Sequence, residues 1–263
     1  MKYINTDKLE KLQINKENVY IVIDFDKTIT AANSTDSWDA SGKLLGKEFR
    51  KESEKLYKFY VPIELDYKMP FKEKERYMIE WYGKCMDLYY KYKLTREKLE
   101  KSIQLSNLIF RKGAKEFITR AYKENIPIII LSAGIGNVIQ LFLKNNKCYY
   151  DNIHIISNFI EFDEKGDMKK FDNSQIIHTL NKNVKSNLQE EISDLKNREY
   201  KILLGDLCED INMIQKDMWE NTIKIGILNK NIEENLDIYR KSFDIVITDN
   251  DANFTVLNEI IKD

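Results

Sequence analysis

The run Val19 to Ile23, giving way at once to Asp24, Phe25, Asp26, Lys27 and Thr28, constrains this chain more than any other segment. Five consecutive β-branched and aromatic residues read as a buried strand, and two acids stand at its mouth. Side chains of an extended backbone alternate with a period of two, so Asp24 and Asp26 share a face and can address the same reacting atom. Two carboxylates that close repel each other. A divalent cation relieves the repulsion, and surroundings that split their pKa values let one act as nucleophile and the other as acid or base. A strand end followed by an Asp turn accounts for the same residues, so the rest of the chain has to decide.

Further β-branched runs recur at Pro127 to Leu131, Ile153 to Ile156, Lys201 to Leu204, Ile223 to Leu228 and Phe243 to Thr248, most of them separated by helical spacing. That alternation predicts an α/β fold with a doubly wound parallel sheet. Residues 34–111 interrupt it. This stretch is charged, aromatic and helix-like, and far longer than a βα crossover needs. It reads as a mostly helical cap inserted after the first strand, over the sheet edge where ligands of open α/β folds bind. The core domain is then 1–33 together with 112–263. Ser157 to Phe171, with DEKGD at its centre, predicts a β-hairpin turning at Gly166. With 9 glycines and 3 prolines, no long flexible linker is expected.

The 42 lysines and arginines against 43 aspartates and glutamates leave a formal net charge of -1, without the footprint of a protein for nucleic acid polymers or an anionic membrane. No segment has the apolar length of a membrane span or a secretory signal, so the expected setting is cytoplasmic. Cys85, Cys148 and Cys208 are too few and too scattered for a disulfide framework or a four-ligand zinc site.

Other strand ends carry chemistry too. The second core strand ends in Ser132, Ala133 and Gly134, and helical spacing begins at once, which makes an anion site or a simple N-cap. KILLGD ends at Asp206, and Asp210 follows in GDLCED. Lys182, in HTLNKN at the start of a predicted helix, supplies the positive charge that a phosphate and an aspartate both want. Alone, such a lysine is an ordinary surface residue.

DxDxT after the first strand, Ser after the second, then Lys, then GDxxxD together resemble the haloacid dehalogenase superfamily of phosphohydrolases, with its Rossmann-like core. Within it the chain is similar to the cytosolic pyrimidine 5'-nucleotidases, the type III cytosolic nucleotidases. The segments carrying this closer resemblance are YVPIELD at 60–66, MIEWYGKC at 78–85, ILSAGIGNVI at 130–139, ISNFIEFDEKGDMKKF at 156–171, IIHTLNK at 176–182 and LLGDLCED at 203–210.

The resemblance implies roles. Asp24 is the nucleophile toward a nucleoside monophosphate, giving an aspartyl phosphate, and Asp26 protonates the leaving ribose oxygen before activating water. Mg2+ falls to Asp24, Asp206 and the backbone carbonyl of Asp26. Ser132 and the amide of Ala133 hold phosphoryl oxygens, Lys182 offsets negative charge, Thr28 completes the loop and Asp210 orients Lys182 or a metal-bound water. Glu64 contacts the base, Tyr82 offers it a ring, and Cys85 stands where the family pattern has a serine, which weakens a hydrogen-bonding position. No site residue is drawn from 31–55, where the resemblance is weakest. His154 and His178 lack ligand spacing and read as core or surface residues. Two other readings stay open, a phosphatase for a non-nucleotide phosphomonoester and a silent nucleotide-binding protein. Oligomeric state is not legible.

Overall fold

A computed structural model describes residues 2–4, 15–66, 68–185, 192–248 and 254. Its centre is a sheet of seven strands in the order β1-β7-β6-β5-β2-β3-β4. These are β1 (Lys2–Ile4), β2 (Val19–Ile23), β3 (Ile128–Ile135), β4 (Ile153–Asn158), β5 (Tyr200–Gly205), β6 (Thr222–Ile227) and β7 (Ile245–Ile247). Strands β2 to β7 run parallel, as the alternation of strand and helix predicts. Strand β1 is an addition that the sequence reading lacked, paired antiparallel with β7 through Tyr3 and Val246.

The inner strands are buried on both faces, which is why they read as unbroken apolar runs. Val19, Ile21, Ile23, Ile128 and Ile130 point into one apolar layer, where Phe117 and Ile118 of α5 (Ala114–Lys123) and Phe142 of α6 (Gly136–Asn145) cover them. Tyr20, Val22, Ile129 and Leu131 point into the opposite layer, against Tyr239 of α8 (Ile232–Ser242). Helix α5 buries Ala114, Phe117, Ile118 and Ala121, the i, i+3, i+4, i+7 stripe of an amphipathic helix.

Four helices fill the gap between β2 and α5: α1 (Ser37–Gly42), α2 (Gly46–Glu64), α3 (Phe71–Lys91) and α4 (Arg96–Leu105). Asp36 caps α1 by accepting from the Asp39 amide, and Thr95 caps α4 by accepting from the Lys98 amide. Together with α6 and the segment around Leu180 they enclose an apolar cluster of their own, including Phe49, Met78, Tyr82 and Met86.

The hairpin is slighter than expected. Gly166 turns it at φ +84°, and the arms meet at the Phe162–Met168 bridge, flanked by bonds from the Asp163 amide to Asp167 and the Lys169 amide to Glu161. Short helix α7 (Lys182–Lys185) begins at the residue expected to begin it. His178 precedes α7 in irregular chain rather than standing in a helix start. No helix among the described residues is long and apolar enough to cross a membrane. Strand β2 lies between β3 and β5, so the chain reverses its direction of winding there. The carboxyl ends of those three strands meet at that switch point.

Candidate active site

Strand β2 stops at Ile23, and the chain then winds through a turn at Phe25–Ile29 in which Lys27 takes a left-handed φ of 62°. This corrects the expectation that strand alternation aligns the two acids. Asp24 is still extended, but Asp26 lies inside the turn. The turn is closed by the Thr30 amide on the Phe25 carbonyl at 3.0 Å and the Lys27 amide on Thr30 Oγ1 at 2.8 Å. Thr28 is fully buried, and its Oγ1 has no hydrogen-bond partner.

Around Asp24 the other strand ends converge. Lys182 Nζ donates to Asp24 Oδ1 at 2.6 Å and to Asp210 Oδ1 at 2.7 Å, all three side chains being buried. Asp210 also accepts from the Leu207 amide at 3.0 Å, which ties it to its own loop, Cys208–Met213. It sits so close to β5 that a Cβ on Gly205 would overlap its side chain, with Oδ2 at 2.5 Å. One carboxylate oxygen each from Asp24, Asp206 and Asp210 falls within 4.8 Å of the others. Burial raises Asp24 to about 6 and Asp206 well above the usual carboxylate range. Burial alone would lower Lys182, but Asp210 and Asp24 outweigh it and hold the ammonium charged. Three carboxylates, those of Asp24 and Asp210 buried and that of Asp206 half-buried, gather beside the Lys182 ammonium. That excess of negative charge, on hard oxygen donors, suits a small divalent cation such as Mg2+.

Strand β3 shifts register against β4 between Leu131 and Ile135, a bulge that re-aims Ser132 to Gly134. Ser132 is buried and accepts from the Gly134 amide at 3.1 Å, so it is not the N-cap of α6, a position held by Ile135. The Ala133 carbonyl accepts from Trp38 Nε1 at 3.2 Å and Asn158 Nδ2 at 3.0 Å.

The helices above contribute the remaining expected residues. Glu64, at the end of α2, accepts from Thr179 Oγ1 at 2.9 Å, and burial raises its carboxyl. Tyr82 and Cys85 lie one helical turn apart on α3. Tyr82 is buried, its hydroxyl raised far by burial and by the nearby carboxylates of Glu64 and Asp24. Its ring meets Trp38 and Trp81 edge-on at 5.4 Å each. Cys85 is pushed up to about 12 by burial and by Asp36 and Asp39, so it is a thiol rather than a thiolate.

Several residues that sequence reasoning passed over belong to this arrangement. Ser37 and Trp38 come from the segment from which no site residue was drawn. Ser37 bonds both oxygens of Asp26, whose carboxyl burial and neighbouring Asp36 push up to about 8. Arg111, buried at the end of the inserted 34–111 stretch, donates to the carbonyls of Thr28 (2.9 Å) and Lys27 and to Asn229 Oδ1 (2.8 Å). Asn229 in turn donates to Asp206 Oδ2 at 3.3 Å. A polar residue just past the end of β6 was a signal for Asn229. Arg111 had none.

Comparison with known proteins agrees with this geometry. A family model described as pyrimidine 5'-nucleotidase (UMPH-1) matches residues 23–263. A mouse (Mus musculus) protein named 7-methylguanosine phosphate-specific 5'-nucleotidase is 33% identical over 258 residues, covering 94% of this chain and 84% of its own. Its human (Homo sapiens) counterpart of the same name is 34% identical with the same coverage. The crystal structure of cytosolic 5'-nucleotidase IIIB bound to cytidine superposes with a TM-score of 0.83 at 27% identity, over 98% of this chain and 92% of that one. A substrate-bound phosphoserine phosphatase, at 19% identity over 94% of this chain and 99% of that one, shares the fold with a TM-score of 0.62.

Proposed function

We propose a specific chemistry for this chain, which belongs to the pyrimidine 5'-nucleotidase (UMPH-1) family and is a phosphoric monoester hydrolase of the haloacid dehalogenase fold: it releases phosphate from a nucleoside monophosphate through an aspartyl phosphate. The observation that carries this reading is the convergence of Asp24, Lys182, Asp206 and Asp210 at the switch point of the sheet. Residues 1–33 and 112–263 form the catalytic core in this reading, and 34–111 the cap.

Asp24 Oδ attacks phosphorus as the bond to the ribose 5'-oxygen breaks. Asp26 gives that oxygen its proton, then as a carboxylate takes one from the water that hydrolyses the acyl phosphate. Ser132 and the Ala133 amide bind the transferring oxygens, and Lys182 stabilises the charge they share with Asp24. Thr28 shapes the turn, and Asp210 holds Lys182 in place. Mg2+ suits Asp24, Asp206 and the backbone carbonyl of Asp26, and when bound it neutralises phosphoryl charge and orients the ester. Transfer of the phosphoryl group from Asp24 to a second nucleoside uses the same intermediate.

The base lies among Glu64, Tyr82 and Cys85. Glu64 suits an exocyclic amine. The charges of Asp36 and Asp39 reach both Cys85 and Tyr57, and that acidic field favours a cationic base such as the 7-methylguanine of the relatives' names. The cytosol is the proposed setting, after the structural neighbour named cytosolic 5'-nucleotidase IIIB.

Phosphate release from CMP, UMP, 7-methylguanosine monophosphate, GMP and phosphoserine, with and without Mg2+, tests the reading. Preference for a nucleotide that vanishes when the metal is removed supports it. Preference for phosphoserine, or tight nucleotide binding without release, sinks it.

A further inference from the structure

The Asp26 carboxyl is gripped by the residue that opens the inserted helices. Ser37, the first residue of α1, is fully buried. Its amide donates to Asp26 Oδ1 at 2.9 Å and its hydroxyl to Asp26 Oδ2 at 2.5 Å, at the short end of O–H···O bonds. The same hydroxyl oxygen accepts from the Ile135 amide at 3.2 Å. Two bonds from one residue fix the plane of the carboxyl, and the third fixes the hydroxyl rotor with its proton toward Asp26. The junction leaves no slack. A Cβ on Gly134 would overlap Ser37 Oγ and come within 2.9 Å of Asp26 Oδ2 and 3.1 Å of Ser132 Oγ. Ser37 therefore joins the turn after β2, helix α1 and the end of β3 at a single carboxyl.

We propose that Ser37 is a positioning residue for proton transfer, holding the Asp26 carboxyl so that its proton reaches the leaving 5'-oxygen; this rests on the reading of Asp26 as the acid. In that step the Asp24 oxygen forms its bond to phosphorus, the bond from phosphorus to the 5'-oxygen breaks, and the Asp26 proton passes to that oxygen. An alkoxide is a poor leaving group and needs the proton in flight. A thiolate leaves without it, since a thiol ionises at about 8.5. Ser37, through Asp26, should thus matter in proportion to how much the leaving atom needs a proton. A residue that merely supported the fold would not discriminate.

The test compares a nucleoside monophosphate with its analogue in which sulfur replaces the bridging 5'-oxygen, so base, ribose and phosphoryl group stay the same. For Ser37→Ala, kcat/KM on the oxygen ester should fall about a hundredfold and on the sulfur ester no more than about threefold, with Ser37→Thr restoring most of the loss. Asp26→Asn should show the same split, larger. Equal losses on both esters in Ser37→Ala, or no loss on either, overturn the proposal while a split in Asp26→Asn leaves the reading of Asp26 standing. No split in Asp26→Asn overturns both.

Discussion

Lys182 Nζ stands 2.6 Å from Asp24 Oδ1 with both side chains buried, so the acid that follows β2 is tied to the first residue of α7, 158 positions later in the chain. The same ammonium reaches Asp210 at 2.7 Å. Replacing Lys182 by Met removes the ammonium that pairs with both Asp24 and Asp210. Without added metal, unfolding in urea should show a loss of about 3 kcal/mol, as expected when a buried pair is left half unmade. With Mg2+ present, kcat should fall about a hundredfold or more. Stability and activity both within the wild-type range would show that the pair does neither job.

Asn229 and Arg111 predict a metal phenotype. Asn229 donates to Asp206 Oδ2, and Arg111 fixes Asn229 and the turn behind Asp26. Asn229→Ala or Arg111→Met should raise the Mg2+ concentration for half-maximal activity about tenfold, the usual cost of losing a group that orients a metal ligand. Isothermal titration with Mg2+ alone reads the same quantity without turnover. Unchanged affinity in both variants would sever the chain from Arg111 to Asp206.

His178 predicts a pH dependence of stability. It is fully buried, Nδ1 accepts from the Leu180 amide at 3.2 Å, Nε2 has no hydrogen-bond partner, and burial pushes its pKa from 6.5 down to about 4. A histidine kept neutral by folding contributes its full stability above the unfolded value of 6.5. As pH falls below that value the unfolded chain takes up a proton the folded one refuses, and stability is lost by up to about 1.4 kcal/mol per pH unit until the folded pKa is passed. The difference in urea midpoint between wild type and His178→Gln should therefore shrink as pH falls from 6.5 toward 4. A difference constant with pH would contradict it.

Gly134→Ala predicts steric damage at one point. The added methyl would press on Ser37 Oγ, Asp26 Oδ2 and Ser132 Oγ together. Activity should fall at least about tenfold and stability by about 1 to 3 kcal/mol, the range for overpacking a closed site. Thermal melting and phosphate release check both. A fully active Gly134→Ala would show more room at the junction than its geometry allows.

The residues legible in the sequence were those whose signal is local. Asp24, Ser132 and Asp206 follow apolar runs that announce a strand and its end, and Lys182 begins the helix where its spacing placed it. Asp26 was found, but the reason given for its position was wrong, because the strand ends at Ile23 and Asp26 already lies inside the Phe25–Ile29 turn. Strand β1 escaped because its pairing is with β7, at the far end of the chain. Ser37, Arg111 and Asn229 escaped for the same physical reason. Their hydrogen bonds span 11, 83 and 23 residues to Asp26, Thr28 and Asp206, and only Asn229, just past the end of β6, has a local mark. Tyr82 was expected to offer a ring to a base, and the structure buries that ring in edge-on contact with Trp38 and Trp81.

The claim on which the rest depends is that Asp24 forms the bond to phosphorus. Asp24→Asn keeps the shape of the side chain and its contact with Lys182 while removing the nucleophilic carboxylate. Phosphate release from the preferred nucleotide in saturating Mg2+ should drop by at least about a thousandfold in this variant, with circular dichroism and thermal melting showing a folded protein. Release within about tenfold of wild type would contradict the covalent route, because an amide cannot carry the phosphoryl group that the carboxylate is proposed to carry.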